Sequence, residues 1–214
     1  MELNRRKNQY LSRFFFLLVM LSCTPKPSTD NASVIKEFKH ATLLNTTKGI
    51  ELSEIEYDFV RIGEKNPIKN EVFDFRESEV NVIFFGFAEC HGTCPLVLTQ
   101  FSEEMSSLTQ QQKNDIRLVF VNLDIEASLE DVRNYLSSFD FRSVGVLPKT
   151  EKDLAKWKAL FGAYSRPATA ADNTPDKIVH SSQLFLVDDA SQWRGYYSFP
   201  LAKGSLAEDF KTKM

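Results

Sequence analysis

The chain has 214 residues, with 26 Lys plus Arg against 29 Asp plus Glu and a hydrophobic fraction of 43%. This is the make-up of a folded protein of one domain or two small ones, and it excludes disorder over most of the length. A formal charge of −3 gives no global electrostatic case for nucleic acid, whose binders present a basic face or stripe, so no nucleic-acid partner is expected.

The first predicted element is a targeting segment. Arg5, Arg6, Lys7 and Arg13 stand against a single acid, Glu2, and lead into the unbroken apolar run Phe14 to Leu21. Crossing a bilayer takes roughly 20 apolar residues, so the run is too short to span one. A basic start, a short apolar stretch and a small residue, Ser22, are the signature of a secretory signal. The segment Leu18-Val19-Met20-Leu21-Ser22-Cys23 resembles a bacterial lipoprotein signal, with Met20 in place of the usual Leu. That resemblance makes Cys23 the lipidated first residue of the mature chain. The expected organisation is therefore a signal peptide at 1–22, a polar, Pro-containing, lipid-anchored tether at 23–45, and a folded domain at 46–214. The working domain is then exported and membrane-anchored, facing the periplasm or the cell exterior.

Val80 to Phe87 is a dense β-branched and aromatic run, which predicts a central strand. After Pro95, Leu98, Phe101, Met105 and Leu108 fall on one face of an amphipathic helix. Ile116 to Leu123 predicts a second strand, and strand, helix, strand with short links is a right-handed parallel crossover. Ser128-Leu129-Glu130-Asp131 and Thr150-Glu151-Lys152-Asp153 are helix-start signals, in which the side-chain oxygen accepts from an otherwise unpaired amide. The stripes that follow them, Leu129, Val132, Leu136, Phe139 and then Leu154, Trp157, Leu160, Phe161, Tyr164, are read as core packing. Gln183 to Val187 and Trp193 to Phe199 form a hairpin, and Ser205 opens a last helix. The order β-α-β-α-α-β-β-α predicts an α/β, thioredoxin-like fold with a central mixed sheet flanked by helices.

Three Cys are too few for a disulfide scaffold. With Cys23 assigned to the signal, the remaining two form Cys90-His91-Gly92-Thr93-Cys94-Pro95, between the central strand and a helix, where an α/β fold displays its chemistry. Pro95 suits a first helical turn, so the helix is expected to begin there and to aim its free amides at Cys94, favouring the thiolate at that residue. Two thiolates alone do not make a stable zinc site. Cu(I) prefers thiolate and is content with two or three ligands, and an imidazole would complete a trigonal set. His91 is a possible extra ligand or a solvated loop residue, and His40 is assigned nothing.

Phe85-Gly86-Phe87 followed by C-x-x-x-C-P, and Lys177-Ile178-Val179-His180-Ser181-Ser182 leading into Leu184 to Asp188, resemble the Sco/SenC family of copper-binding, thioredoxin-like proteins that serve cytochrome c oxidase assembly. The likeness runs from about Tyr57 to the carboxyl terminus. It implies copper, as Cu(I), Cu(II) or both, held by Cys90, Cys94 and His180. The implied partners are a copper-accepting subunit of a respiratory oxidase and a thiol reductase that keeps the Cys pair reduced. Two departures stand out. His91 and Gly92 replace the family's usual Pro and Asp, and where the family has Asp-Pro-Glu-Arg-Asp this chain has Asp124-Ile125-Glu126-Ala127-Ser128, in which Asp124 matches the leading acid and the Arg and second Asp are missing. Asp124 is a possible group behind the ligands.

A copper metallochaperone without substrate turnover is the first reading. An extracytoplasmic thiol-disulfide oxidoreductase of the same fold, with Cys90 and Cys94 as the redox pair, is the alternative. Thioredoxin-type enzymes usually carry a Pro just before the late strand, where this chain has His180-Ser181, and this favours copper.

Overall fold

The computed structural model describes residues 34–45, 49–63 and 73–213. The expected signal, Cys23 and the first part of the expected tether, 23–33, lie outside them. Among the described residues no helix is long and apolar enough to cross a membrane.

The central strand β3 (Val80–Gly86) is buried at every position. Its parallel neighbour β4 (Ile116–Asn122) pairs with it in register from Val80↔Ile116 to Gly86↔Asn122. The crossover between them holds α1 (Thr93–Ser106) and the short α2 (Gln110–Asp115), whose capping box is formed by Thr109 and Gln112. α3 (Leu129–Leu136) begins at the Ser128–Asp131 capping box, and α4 (Glu151–Phe161) at Thr150, as the start signals predict. Gly162, at φ +65°, ends α4 in the left-handed conformation that glycine adopts at little cost. The expected hairpin is β8 (Leu184–Asp188) and β9 (Trp193–Tyr197), followed by α5 (Ser205–Lys213).

The remaining strands extend this frame. β1 (Thr42–Leu43) pairs with β9, and β2 (Tyr57–Arg61) pairs antiparallel with β5 (Ser143–Pro148), which lies between α3 and α4. The sheet order is β1-β9-β8-β3-β4-β5-β2, parallel only across β3, β4 and β5. A second sheet has just two strands, β6 (Ser165–Pro167) and β7 (Ile178–His180). His180 thus ends a small hairpin outside the main sheet, where the sequence suggested a lead-in to the late strand. The mixed sheet with its helices is the thioredoxin-like fold.

Alternate side chains of β3 point to opposite faces, as in any strand. Phe85 packs on Phe161 of α4 and on Phe185, with ring centroids at 5.8 and 5.9 Å. Phe84 packs instead against Phe120 and the His180 ring. The folded body begins earlier than residue 46. Ile35 and Phe38 are buried in the core, Phe38 edge-on to Phe210, and Asp209 accepts from the Lys39 and His40 amides.

Candidate metal centre

The strand end at Gly86 sets the stage. A side chain there would meet the Phe120 ring at 2.8 Å and the Cys94 sulfur at 2.9 Å, so only glycine lets α1 bring Cys94 down onto the sheet. The helix begins at Thr93, two residues before Pro95, so Cys94 lies inside the first turn and is fully buried. Cys90 sits in the preceding loop and is 5% exposed. Both thiols are free.

This placement reverses the expected roles of the two sulfurs. The Cys94 amide, one of the unpaired amides of the helix start, donates to Cys90 Sγ at 3.3 Å. Cys90, just beyond the helix amino terminus, therefore receives the stabilisation that the sequence assigned to Cys94. A hydrogen bond from the Cys94 side chain, against the opposing cost of burial, brings the Cys90 thiol down to about 5, helped by His180 and by the backbone amides of Cys94 and Gly92. Burial, and the hydrogen bond and charge of Cys90, push the Cys94 thiol far up. Cys90 is the thiolate and Cys94 the thiol, held in one coupled pair.

His180 arrives on β7, pinned by the Ser165↔His180 register and by the Ser181 amide donating to Tyr164 O. Its Nδ1 donates to Ser181 O at 2.9 Å, which turns Nε2 towards the sulfurs. Nε2 lies 3.2 Å from Cys94 Sγ. The ring stands edge-on to Phe84 and Phe87, each with centroids at 6.0 Å. Cys90 Sγ, Cys94 Sγ and one His180 nitrogen all lie within 4.8 Å of one another. With bonds of about 2.3 Å to thiolate, as for zinc, two sulfurs of a trigonal ion stand roughly 4.0 Å apart, so donors that lie within 4.8 Å of one another need shift by less than about 1 Å. A set of two soft sulfurs and one imidazole, the imidazole packed against Phe84 and Phe87, suits a soft ion of low coordination number.

Asp124 is not behind the ligands. It pairs with Lys177 at 2.6 Å and accepts from the Glu126 amide, and Lys177 also binds Glu89 at 2.7 Å. His91 is exposed, and the metal-capable group among the described residues is Cys90, Cys94 and His180 without it. His40 pairs with Glu208 at 3.2 Å. The carboxylate that does touch the site is Asp176, which the sequence reading passed over. Its Oδ1 accepts the His91 amide at 2.8 Å and its Oδ2 lies 3.5 Å from Cys90 Sγ. The one available signal was an acid four residues ahead of His180.

A thioredoxin-like sheet that presents two sulfurs at a helix start and an imidazole from a separate hairpin defines a class, the dithiol–imidazole proteins of that fold. Residues 52–214 match the SCO1/SenC family, and the chain belongs to it. A putative copper-binding protein of Stutzerimonas stutzeri is 27% identical over 122 residues, which are 56% of this chain and 59% of that one, so the chain spans well under two thirds of that relative's length. Among solved structures, copper-bound ScoI of Bradyrhizobium japonicum covers 74% of this chain and 97% of its own, with a TM-score of 0.58 and 21% identity. A SCO1/SenC family lipoprotein of Bacillus anthracis covers 80% and 97%, with a TM-score of 0.58 and 17% identity.

Proposed function

We propose that this protein is a copper metallochaperone that takes its cargo on Cys90 Sγ, Cys94 Sγ and His180 Nε2 and passes it to the copper site of a cytochrome c oxidase. The observation that carries the reading is the convergence of those three donors from two separate elements of the fold. The Stutzerimonas relative and the copper-bound ScoI support the ion. The resemblance to the family supports the oxidase. The loop thiolate, Cys90, is the exchangeable ligand: it stands at the outer end of the pair, while Cys94 is fully buried and His180 is pinned by its hairpin. Transfer proceeds by ligand exchange, with an incoming thiolate or imidazole of the partner displacing one donor at a time. The signal-like segment ending at Cys23 supports a protein held outside the cytoplasm on a lipid anchor, and the Bacillus lipoprotein is in keeping with that reading. In an oxidising compartment the pair must be kept reduced, which requires a thiol reductase.

One observation favours a second reading. A depressed thiol at a helix start beside a buried neutral one is also the division of labour between an attacking and a resolving sulfur in disulfide exchange. The two readings part at His180. Copper titration of the reduced protein is expected to give one ion per chain and, with Cu(II), a thiolate charge-transfer band that His180→Ala abolishes. Disulfide exchange by His180→Ala is expected to persist. If the variant kept the band and wild-type affinity in both oxidation states while Cys90→Ser abolished only disulfide exchange, the oxidoreductase would replace the chaperone.

A further inference from the structure

Asp176 is a buried carboxylate, 9% exposed, that is not one of the three donors. It comes just ahead of β7, four residues before His180, yet both of its oxygens are directed at the loop that carries Cys90. Oδ1 takes the His91 amide at 2.8 Å, and Oδ2 stands 3.5 Å from Cys90 Sγ, within reach of the thiol proton when that sulfur is protonated. The Asp176 amide is itself held by Thr174 Oγ1 at 3.2 Å. Next along the chain, Lys177 ties Glu89 and Asp124 together, but that ion triad is largely exposed and contributes little. One carboxylate therefore bridges the sulfur loop and the imidazole hairpin, two pieces of chain that share no strand.

Gly92 is the other half of the arrangement. A side chain at position 92 would stand 2.5 Å from Asp176 Oδ2, so the two cannot coexist as they are placed. Position 92 is also where the family pattern has its usual Asp. In this chain the stretch between the two Cys carries no carboxylate and one arrives from outside it, through the space a side chain at 92 would fill.

We infer that Asp176 is a positioning residue of the copper site: it pins the His91 peptide, and with it Cys90, in register with His180, and Gly92 is glycine because Asp176 occupies its side-chain space. The inference rests on the copper reading for its purpose but not for its geometry. Partners behind metal ligands are worth about 10–100-fold in affinity when removed, and a loop that carries one of three donors is where that loss should fall.

The test compares Asp176→Asn, Asp176→Ala, Gly92→Ala and the double variant Gly92→Ala/Asp176→Ala. In reduced, copper-free protein, Asp176→Ala is expected to speed exchange of the His91 amide by about tenfold or more, because its acceptor is gone. Asp176→Asn keeps an acceptor oxygen and is expected to keep the protection. Chelator competition for Cu(I) is expected to show a loss of about 10–100-fold for Asp176→Ala. Gly92→Ala is expected to lower affinity in the wild-type background and to add little once Asp176 is removed. Unchanged His91 exchange and unchanged affinity in Asp176→Ala would overturn the inference, as would a Gly92→Ala cost equal in both backgrounds. Should Asp176→Ala not fold, Gly92→Ala still decides, since unaltered His91 exchange there overturns the clamp. If wild-type protein takes no copper, the copper reading fails and His91 exchange alone judges the clamp.

Discussion

Replacing neither sulfur but reading both against pH gives the sharpest check on the site. The perturbation is proton concentration, and the probe is alkylation of the reduced, metal-free protein, with each Cys followed separately by mass spectrometry. Cys90 is held down to about 5 by hydrogen bonds from the Cys94 side chain and amide and from His180. A free thiol has a pKa of about 8.5, so at pH 6 it is roughly 0.3% ionised, whereas a thiol of about 5 is roughly 90% ionised. That is about 300-fold more thiolate. A less basic thiolate is also a poorer nucleophile, and a Brønsted slope of about 0.45 over 3.5 units returns roughly 40-fold, leaving a net gain near tenfold before burial slows access. The midpoint of the rate profile is therefore a firmer reading than the rate. Cys90 is expected to alkylate first, with a midpoint near 5, and Cys94 to stay unreactive through pH 9. The sign for stability follows from linkage. The folded Cys90 value lies below its unfolded one, so its contribution is full above about 8.5 and is lost as pH falls towards 5, at about 1.4 kcal/mol per unit. Cys94 is raised, so its contribution is present below about 8.5 and is lost as pH rises further. A Cys90 midpoint near 8.5, or Cys94 reacting first, would refute the assignment of thiolate and thiol.

Two further expectations lie away from the metal centre. Glu104 is a buried carboxylate of α1 that accepts the Gly204 and Ala207 amides at the start of α5, so Glu104→Ala should cost about 1–3 kcal/mol in urea unfolding while the copper band keeps its position. An unchanged unfolding midpoint would count against that cap. Stable anchoring takes more than one acyl chain, which lipoproteins carry at the mature amino terminus, so Cys23→Ser should move the protein from the membrane to the soluble fraction wherever the signal is still cut, and a variant that stays membrane-bound would remove the lipid from the account.

Much of the frame, and the three residues that the fold brings together at Cys90, Cys94 and His180, could be read in the sequence. β3 and β4 announce themselves because both of their faces are buried, which leaves continuous β-branched and aromatic runs. The capping box at Ser128 and the N-cap at Thr150 place two helices because the chemistry of an unpaired amide is local. β5 was hidden by Gly145 and Pro148, which read as punctuation. The glycine is there for packing, since a side chain would come within 2.4 Å of Val132 Cγ1, and the proline sits at the strand end opposite Tyr57. β6 and β7 are three residues each, too short to show a period, so His180 looked like a prelude to β8. Asp176 and the exchange of roles between the two sulfurs were beyond sequence for one reason. Both depend on which atoms face Cys90 in space, and one of those atoms belongs to a residue 86 positions away.

That same separation divides the donors in time. Cys90 and Cys94 are four residues apart, but His180 follows Cys94 by 86. A chain emerging at about 5–20 residues per second shows its two sulfurs roughly 4–17 s before its imidazole exists. Through that interval, and until the β6–β7 hairpin closes, the nascent protein is a bare dithiol, open to oxidants and to any soft ion nearby. Reduction of the pair therefore belongs to the birth of this protein as much as to its upkeep, and selectivity for copper becomes a property of the finished chain.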